Sequence, residues 1–167
     1  MGCGIEARVR LILSLCDQSG VWSQPYADAG YAVVRVDLAH PNGLHQIEPR
    51  LWHWGEDVRN LNLSLIQQPY AILAAPPCTV FCRPGARWWP RMDSFGTTER
   101  DVSVFRAVFA LCQKSELWWA LENPPGRQRK LMPELPAPSW QWQPWQYGDP
   151  WVKQTYIWGT ANKPEPR

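Results

Sequence analysis

Residues 70–78 read Tyr70-Ala71-Ile72-Leu73-Ala74-Ala75-Pro76-Pro77-Cys78. An apolar run of strand length is cut off by two prolines, which lack the N–H that a strand ladder needs. The run therefore predicts a buried strand, and Cys78 is held just beyond its carboxyl end. Working outward, residues 9–15 (VRLILSL) predict a first buried strand that runs into a polar turn over 16–20. Residues 23–29 predict a short helix with Pro25 in its first turn and Gly30 as its stop. Residues 31–38 (YAVVRVDL) are β-branched and end a second strand on Asp37. Downstream, residues 98–115 show helical periodicity through Val102, Phe105, Val108, Phe109 and Cys112, with Asp101 suited to the positive end of the helix dipole. Residues 117–121 (LWWAL) predict a further strand that runs into Glu122-Asn123-Pro124. Residues 140–146 and 154–158 predict a closing antiparallel pair. Strands alternating with helices predict an open α/β sheet with a parallel centre. In such sheets ligands lie beyond the carboxyl ends of the strands. Asp17 and Gly20, Asp37, Pro76-Pro77-Cys78 and Glu122-Asn123 all fall at those ends.

A length of 167 residues fits one domain spanning 1–167. Net charge is +2, which excludes a histone-like polycation and leaves nucleic-acid contact to local patches. The 12 tryptophans and the 45% hydrophobic content exclude a disordered chain. No apolar stretch has the length of a membrane span, and the first ten residues lack the apolar core of a signal peptide. A cytoplasmic protein without a membrane partner is expected. Five cysteines are an odd number, which argues against a secreted disulfide scaffold. Cys78 and Cys82 stand four apart with no second pair, so no metal site is expected.

Cys78 reads either as a nucleophile, once deprotonated, or as a buried structural thiol; the paired prolines favour the first. Cys3, Cys16, Cys82 and Cys112 lack that setting. Glu122 follows a very apolar strand, so partial desolvation should raise its pKa and make it a proton donor near neutrality. Its bland reading is a loop carboxylate. Asp37 is placed to accept hydrogen bonds from a ribose diol. The turn with Asp17 and Gly20 is not G-x-G-x-x-G, so no pyrophosphate cradle is expected, and an NAD-type oxidoreductase is disfavoured. Residues 81–91 (FCRPGARWWPR) bring three arginines and two tryptophans directly after Cys78. They read as a phosphate-contacting, base-stacking loop or as a packed edge with solvated arginines. The run 126–130 (GRQRK) reads as a second phosphate contact or a solvated loop.

Pro76-Pro77-Cys78 with Phe81, then Glu122-Asn123-Pro124, then Tyr147-Gly148-Asp149-Pro150 resembles the ordered motif set of the DNA cytosine-5 methyltransferases. The resemblance spans roughly residues 9–159 and is continuous only at the motifs. It implies a class I Rossmann-like methyltransferase sheet, mostly parallel with a C-terminal antiparallel hairpin, and S-adenosylmethionine as cofactor. It implies that Cys16, Asp17, Gly20 and Trp22 approach the methionine part, Asp37 the ribose, Asp57 and Val58 the adenine, and that Ala75 and Pro76 line the pocket. It implies Cys78 as nucleophile, with Glu122 and Asn123 at the cytosine. Pro77, Arg83, Arg87, Trp88, Lys153 and Thr155 would then contact substrate. The chain departs from the family where residues 14–22 keep only Gly20 of the first motif, and where Lys153 and Thr155 stand for paired arginines. The expected substrate is cytosine in DNA with at most a very short recognition context, bound by one chain or a homodimer. The alternatives are a free cytosine nucleotide, or a non-catalytic S-adenosylmethionine- or nucleic-acid-binding partner subunit.

Overall fold

The computed structural model describes residues 9–114 and 118–166. Cys3, the end of the predicted helix at Ser115 and the start of a predicted strand at Leu117 lie outside the described residues. Eight strands form one sheet: β1 (Leu11–Leu15), β2 (Ala32–Val36), β3 (Gly43–Glu48), β4 (Leu51–Gly55), β5 (Ala71–Ala74), β6 (Trp118–Asn123), β7 (Trp140–Trp142) and β8 (Thr155–Gly159). Four helices accompany them: α1 (Gln24–Asp28), α2 (Trp89–Ser94), α3 (Thr97–Lys114) and α4 (Gln128–Leu131). The strand order is β3-β4-β2-β1-β5-β6-β8-β7. Strands β4, β2, β1, β5 and β6 are mutually parallel, while β3 and β8 run antiparallel to their neighbours. β7 pairs antiparallel with β8 and so points the same way as the parallel five. This is the open, mostly parallel, Rossmann-like α/β sheet that the sequence predicts, with its C-terminal antiparallel hairpin.

The composition of each strand follows from its place. β1, β2 and β5 are buried along their whole length, as strands covered on both faces must be, and they carry almost only aliphatic residues. β3 is exposed throughout and polar, as an edge tolerates. On one face α3 lays Val102, Phe105, Val108 and Cys112 against Leu13, Leu15, Ile72 and Leu121. Phe105 is fully buried and meets Phe81 edge-on at 5.6 Å; burying a side chain of this size contributes about 2–3 kcal/mol. The opposite face gathers Ile12, Val33, Leu51, Ala71, Leu73, Ala120 and Ile157, covered by Trp22, Tyr26, Trp118, Trp140 and Trp142. Aromatic side chains here serve where a longer helix would otherwise lie.

The chain proceeds outward from β1 through β2 to β4, then crosses to the other side of β1 to place β5 and β6. The order thus reverses between β1 and β5, and a crevice opens there at the carboxyl ends. The β3–β4 hairpin, α2 and α4 are additional to the sequence prediction, and the strand predicted over 140–146 stops at Trp142, because Pro144 starts a 3-10 turn, Pro144–Tyr147. Among the described residues no helix is long and apolar enough to cross a membrane.

Candidate active site

At the end of β1 the chain turns through Cys16, whose φ of 58° lies in the left-handed region that side chains rarely adopt. Asp17 is buried and its carboxylate closes this turn. It accepts from the Gly20 N–H (2.8 Å), Ser14 Oγ (2.8 Å) and Ser23 Oγ (2.6 Å). Gly20 has φ +72°, and a Cβ there would stand 2.3 Å from Arg35 Cζ. Arg35, buried in the middle of β2, donates from Nε to Ser23 Oγ (2.9 Å) and from Nη2 to Gln24 Oε1 (2.6 Å). This polar hub fixes the turn and leaves the Asp17 carboxylate fully used. Nothing in the alternation of AVVRV announces Arg35 as a member.

The Cys16 thiol is pushed up to about 12, first by burial and then by the carboxylates of Asp37, Asp57 and Asp17. It is a protonated lining group. The charges of all three carboxylates reach this strand end. Asp37 is half-buried and its Oδ1 accepts from the Ala39 N–H at 2.9 Å. Asp57 is held below the usual carboxylate range by hydrogen bonds from the Arg59 guanidinium, so its oxygens are occupied. Val58, beside it, is buried in the 3-10 turn Val58–Asn60.

Across the switch point, the Ala75 N–H donates to Leu15 O (3.0 Å), and the two prolines carry the chain to Cys78. Pro76 is buried, Pro77 exposed and Cys78 half-buried. The Cys78 carbonyl accepts from the N–H groups of Phe81 (2.9 Å) and Cys82 (3.0 Å), closing a tight turn around the thiol. Burial raises the Cys78 thiol, as do Cys82 and the Glu122 carboxylate, while the Lys153 ammonium draws it back. Glu122, on β6 beside β5, is raised by burial and lowered by Lys153. The predicted rise is therefore found, with the predicted cause.

Asn123 joins the two strand ends. It is fully buried, donates from Nδ2 to Pro76 O (2.9 Å) and accepts from Gln128 Nε2 (2.9 Å). Asn123→Ala strands the Pro76 carbonyl and the Gln128 amide. It is expected to lower stability by about 1–3 kcal/mol in urea unfolding, the cost of leaving buried polar groups unpaired.

The basic run 126–130 departs from its phosphate-contact reading at Arg127, which is spent inside the protein. Arg127 Nε donates to Val80 O (2.8 Å), its two Nη atoms pair with Asp93 (2.7 and 2.9 Å), and it covers the Trp89 ring at 4.5 Å. A Cβ at Gly126 would lie 1.9 Å from Phe81 O, so only glycine lets this strand end approach the Cys78 turn. Residues 81–91 are likewise divided. Arg83–Trp88 form a 3-10 turn in which Arg83, Arg87 and Trp88 are exposed, while Trp89 packs beneath Arg127.

A cleft of about 800 Å³ runs from Cys16, Asp17 and Trp22 past Ala75 to Glu122, Lys153 and Thr155. Seven of the residues singled out in the sequence thus share one cavity. Gly20, Asp37, Asp57, Val58, Pro76, Pro77, Cys78, Asn123, Arg83, Arg87 and Trp88 do not line it; Cys78 is linked to it through Glu122 and Lys153, whose charges reach its thiol. Thr155 is buried with Oγ1 on Lys153 O (3.2 Å), and Lys153 is exposed. Sequence reasoning missed the aromatic wall of Tyr26, Trp118, Trp140 and Trp142, which Tyr147 of the quoted motif joins. Its only signal is the density of tryptophan, which equally marks packing. Among the described residues no three His, Cys, Asp or Glu side chains gather to hold a metal ion.

No protein-family model matches the chain, and no curated protein matches it significantly. Solved structures similar to it include methyltransferases. The CcbJ methyltransferase from Streptomyces caelestis is 21% identical over 71% of this chain and 44% of its own length, with a TM-score of 0.40. The chain therefore spans less than half of that enzyme. Two mutants of the 16S rRNA (adenine(1408)-N(1))-methyltransferase from Catenulisporales acidiphilia are 14% and 13% identical. They match over 95% and 93% of this chain and 86% and 89% of theirs, with TM-scores of 0.46 and 0.45.

Proposed function

We propose that this chain is an S-adenosylmethionine-dependent methyltransferase that modifies carbon 5 of cytosine through a covalent bond to Cys78. One observation carries the reading. Cys78, a thiol, and Glu122, a carboxyl whose pKa burial raises, stand at neighbouring strand ends that Asn123 ties together. A nucleophile and a proton donor belong on opposite jobs of one ring: addition at carbon 6 and charge stabilisation at nitrogen 3.

The donor end fits the cofactor. Asp37 keeps one carboxylate oxygen clear of the Ala39 N–H and suits a ribose diol. Asp17, Ser19 and Trp22 line the cleft where the methionine part would lie. Asp57 is held by Arg59, so Val58 and the backbone are the better adenine contacts. When bound, S-adenosylmethionine supplies an electrophilic methyl group. Every other step belongs to this chain. The Cys78 thiolate adds to carbon 6, which breaks the 5,6 double bond and makes carbon 5 nucleophilic. Glu122 donates its proton toward nitrogen 3 and holds the negative charge displaced there. Once carbon 5 carries its methyl group, its proton passes to water, the double bond re-forms and Cys78 leaves as thiolate. Lys153 faces both groups and lowers the cost of each negative charge.

DNA is the proposed substrate, with at most a short recognition context, because the exposed arginines of residues 83–91 offer phosphate contacts and little base-edge readout. A second reading, a free cytosine nucleotide, is favoured by the aromatic wall and by a cavity within the range of small-molecule sites. Transfer of labelled methyl groups to duplex DNA, single-stranded DNA, RNA and deoxycytidine nucleotides separates these readings. Asp37→Ala is expected to weaken binding of S-adenosylhomocysteine by about tenfold or more, the value of a charge-assisted hydrogen bond. Titration calorimetry showing unchanged affinity would remove Asp37 from the donor site.

A further inference from the structure

α2 and the turn before it carry an exposed aromatic pair that neither the core nor the proposed chemistry uses. Trp88 is 46% exposed and Phe95 73% exposed. With Arg91, Met92 and Thr97 they line one shallow groove. Trp88 and Phe95 flank α2 as its N-cap and C-cap residues and line the same groove. Arg91 lies between them. The Arg87 guanidinium stands 5.0 Å from the Trp88 ring and that of Arg91 5.6 Å from the Phe95 ring. Arg83 is exposed one turn earlier.

The surface is rigid and its charge is not cancelled. Asp93, the acid within α2, is spent on Arg127, which also reaches Thr98 at the start of α3 (3.0 Å) and the Val80 carbonyl (2.8 Å). That pairing holds Asp93 down at about 2. Two guanidinium groups therefore stand beside two flat apolar rings with no free acid on the helix between them, and the exposed Arg83 precedes them in the chain. A purely apolar partner would have to bury those arginines, at a large desolvation cost. An acidic peptide would satisfy the arginines but has no flat faces for the rings. A polynucleotide supplies phosphates and π-faces together. In a duplex the base faces are already stacked on one another, so exposed rings find partners only on unpaired bases.

We propose that this face of α2 binds a single-stranded polynucleotide, with unpaired bases stacked on Trp88 and Phe95 and phosphates held by Arg83, Arg87 and Arg91. The proposal rests on the nucleic-acid reading of the substrate. Its test, however, reads binding and needs no turnover.

The full chain is titrated into a labelled oligodeoxycytidine of about twelve nucleotides and followed by fluorescence anisotropy across a salt series. Phe95→Ala is expected to weaken binding about tenfold and Phe95→Trp to restore it. Arg91→Ala is expected to flatten the slope of log affinity against log salt by about 0.7. Equal binding of an oligocytidine ribonucleotide supports a surface that reads stacking and phosphate without the sugar hydroxyl. Tighter binding of the corresponding duplex, unchanged affinity of Phe95→Ala, or equally good displacement by polyglutamate each overturns the proposal. Loss of oligonucleotide binding with methyl transfer to free nucleotide intact would remove the α2 surface alone. Binding without methyl transfer to any cytosine substrate would remove the proposed activity and leave the surface standing.

Discussion

Replacing Cys78 with alanine is expected to abolish methyl transfer to cytosine while leaving the affinity for S-adenosylhomocysteine nearly unchanged. The thiol acts on the base, and the cleft residues near the donor end, Cys16, Asp17 and Trp22, lie on the other side of the switch point. Without addition at carbon 6, carbon 5 is too poor a nucleophile to react, so the loss is of the whole covalent route. A 5-fluorocytosine substrate is expected to trap the protein. Fluorine cannot leave carbon 5 as a proton does, so the sulfur–carbon bond persists. Mass spectrometry should find that adduct on Cys78. An adduct on Cys82, or substantial turnover by the alanine variant, would falsify the assignment.

Glu122→Gln is expected to lower turnover by about 10²–10³, the usual effect of removing one stabiliser of developing charge. Stability should move the other way. Burial raises the Glu122 pKa in the folded chain, so folding favours the protonated form. The sign follows from linkage: the carboxyl's contribution is full below its unfolded pKa and is lost as pH rises through the raised folded value. Glutamine has no charge to bury. The variant is therefore expected to match the parent in acid and to melt at an equal or higher temperature above neutrality. Thermal unfolding at several pH values, alongside turnover, tests both halves. A variant that is destabilised in proportion to its lost activity would mark Glu122 as a structural residue only.

The parallel centre of the sheet was legible because its strands are buried on both faces and must be aliphatic: LILSL, AVVRV and AILA leave little else to read. The two prolines after Ala75 and the apolar run before Glu122 likewise placed both candidate groups at strand ends. The β3–β4 hairpin was not legible, since GLHQIE is exposed along its length and alternates nothing. α2 was hidden by Pro90 and by tryptophans that obscure a helical period. Arg35 and Arg127 were misread or passed over for a common reason. Each is an internal hydrogen-bond hub whose partners lie 11 or more residues away, and a guanidinium at a fixed point looks the same in sequence whether it faces solvent or the interior. The aromatic wall of the cleft was visible as composition and invisible as a site, because tryptophan fills a core and lines a cavity with the same chemistry.

The placement of β8 has a bearing on how the protein is made. β8 is the last strand in chain order, yet it enters the sheet between β6 and β7, opposite Ala120, Leu121, Glu122 and Asn123. During synthesis β6 must therefore wait with an unpaired edge until residues 155–159 have left the ribosome, and β7 has no partner before then. Contacts this distant in sequence form slowly, and an open strand edge invites association with other chains meanwhile. The environment that raises the Glu122 pKa is completed only when β8 arrives, so the proposed pair of Cys78 and Glu122 is assembled only then. A nascent chain cut short before Thr155 would carry both Cys78 and Glu122 and still lack the site.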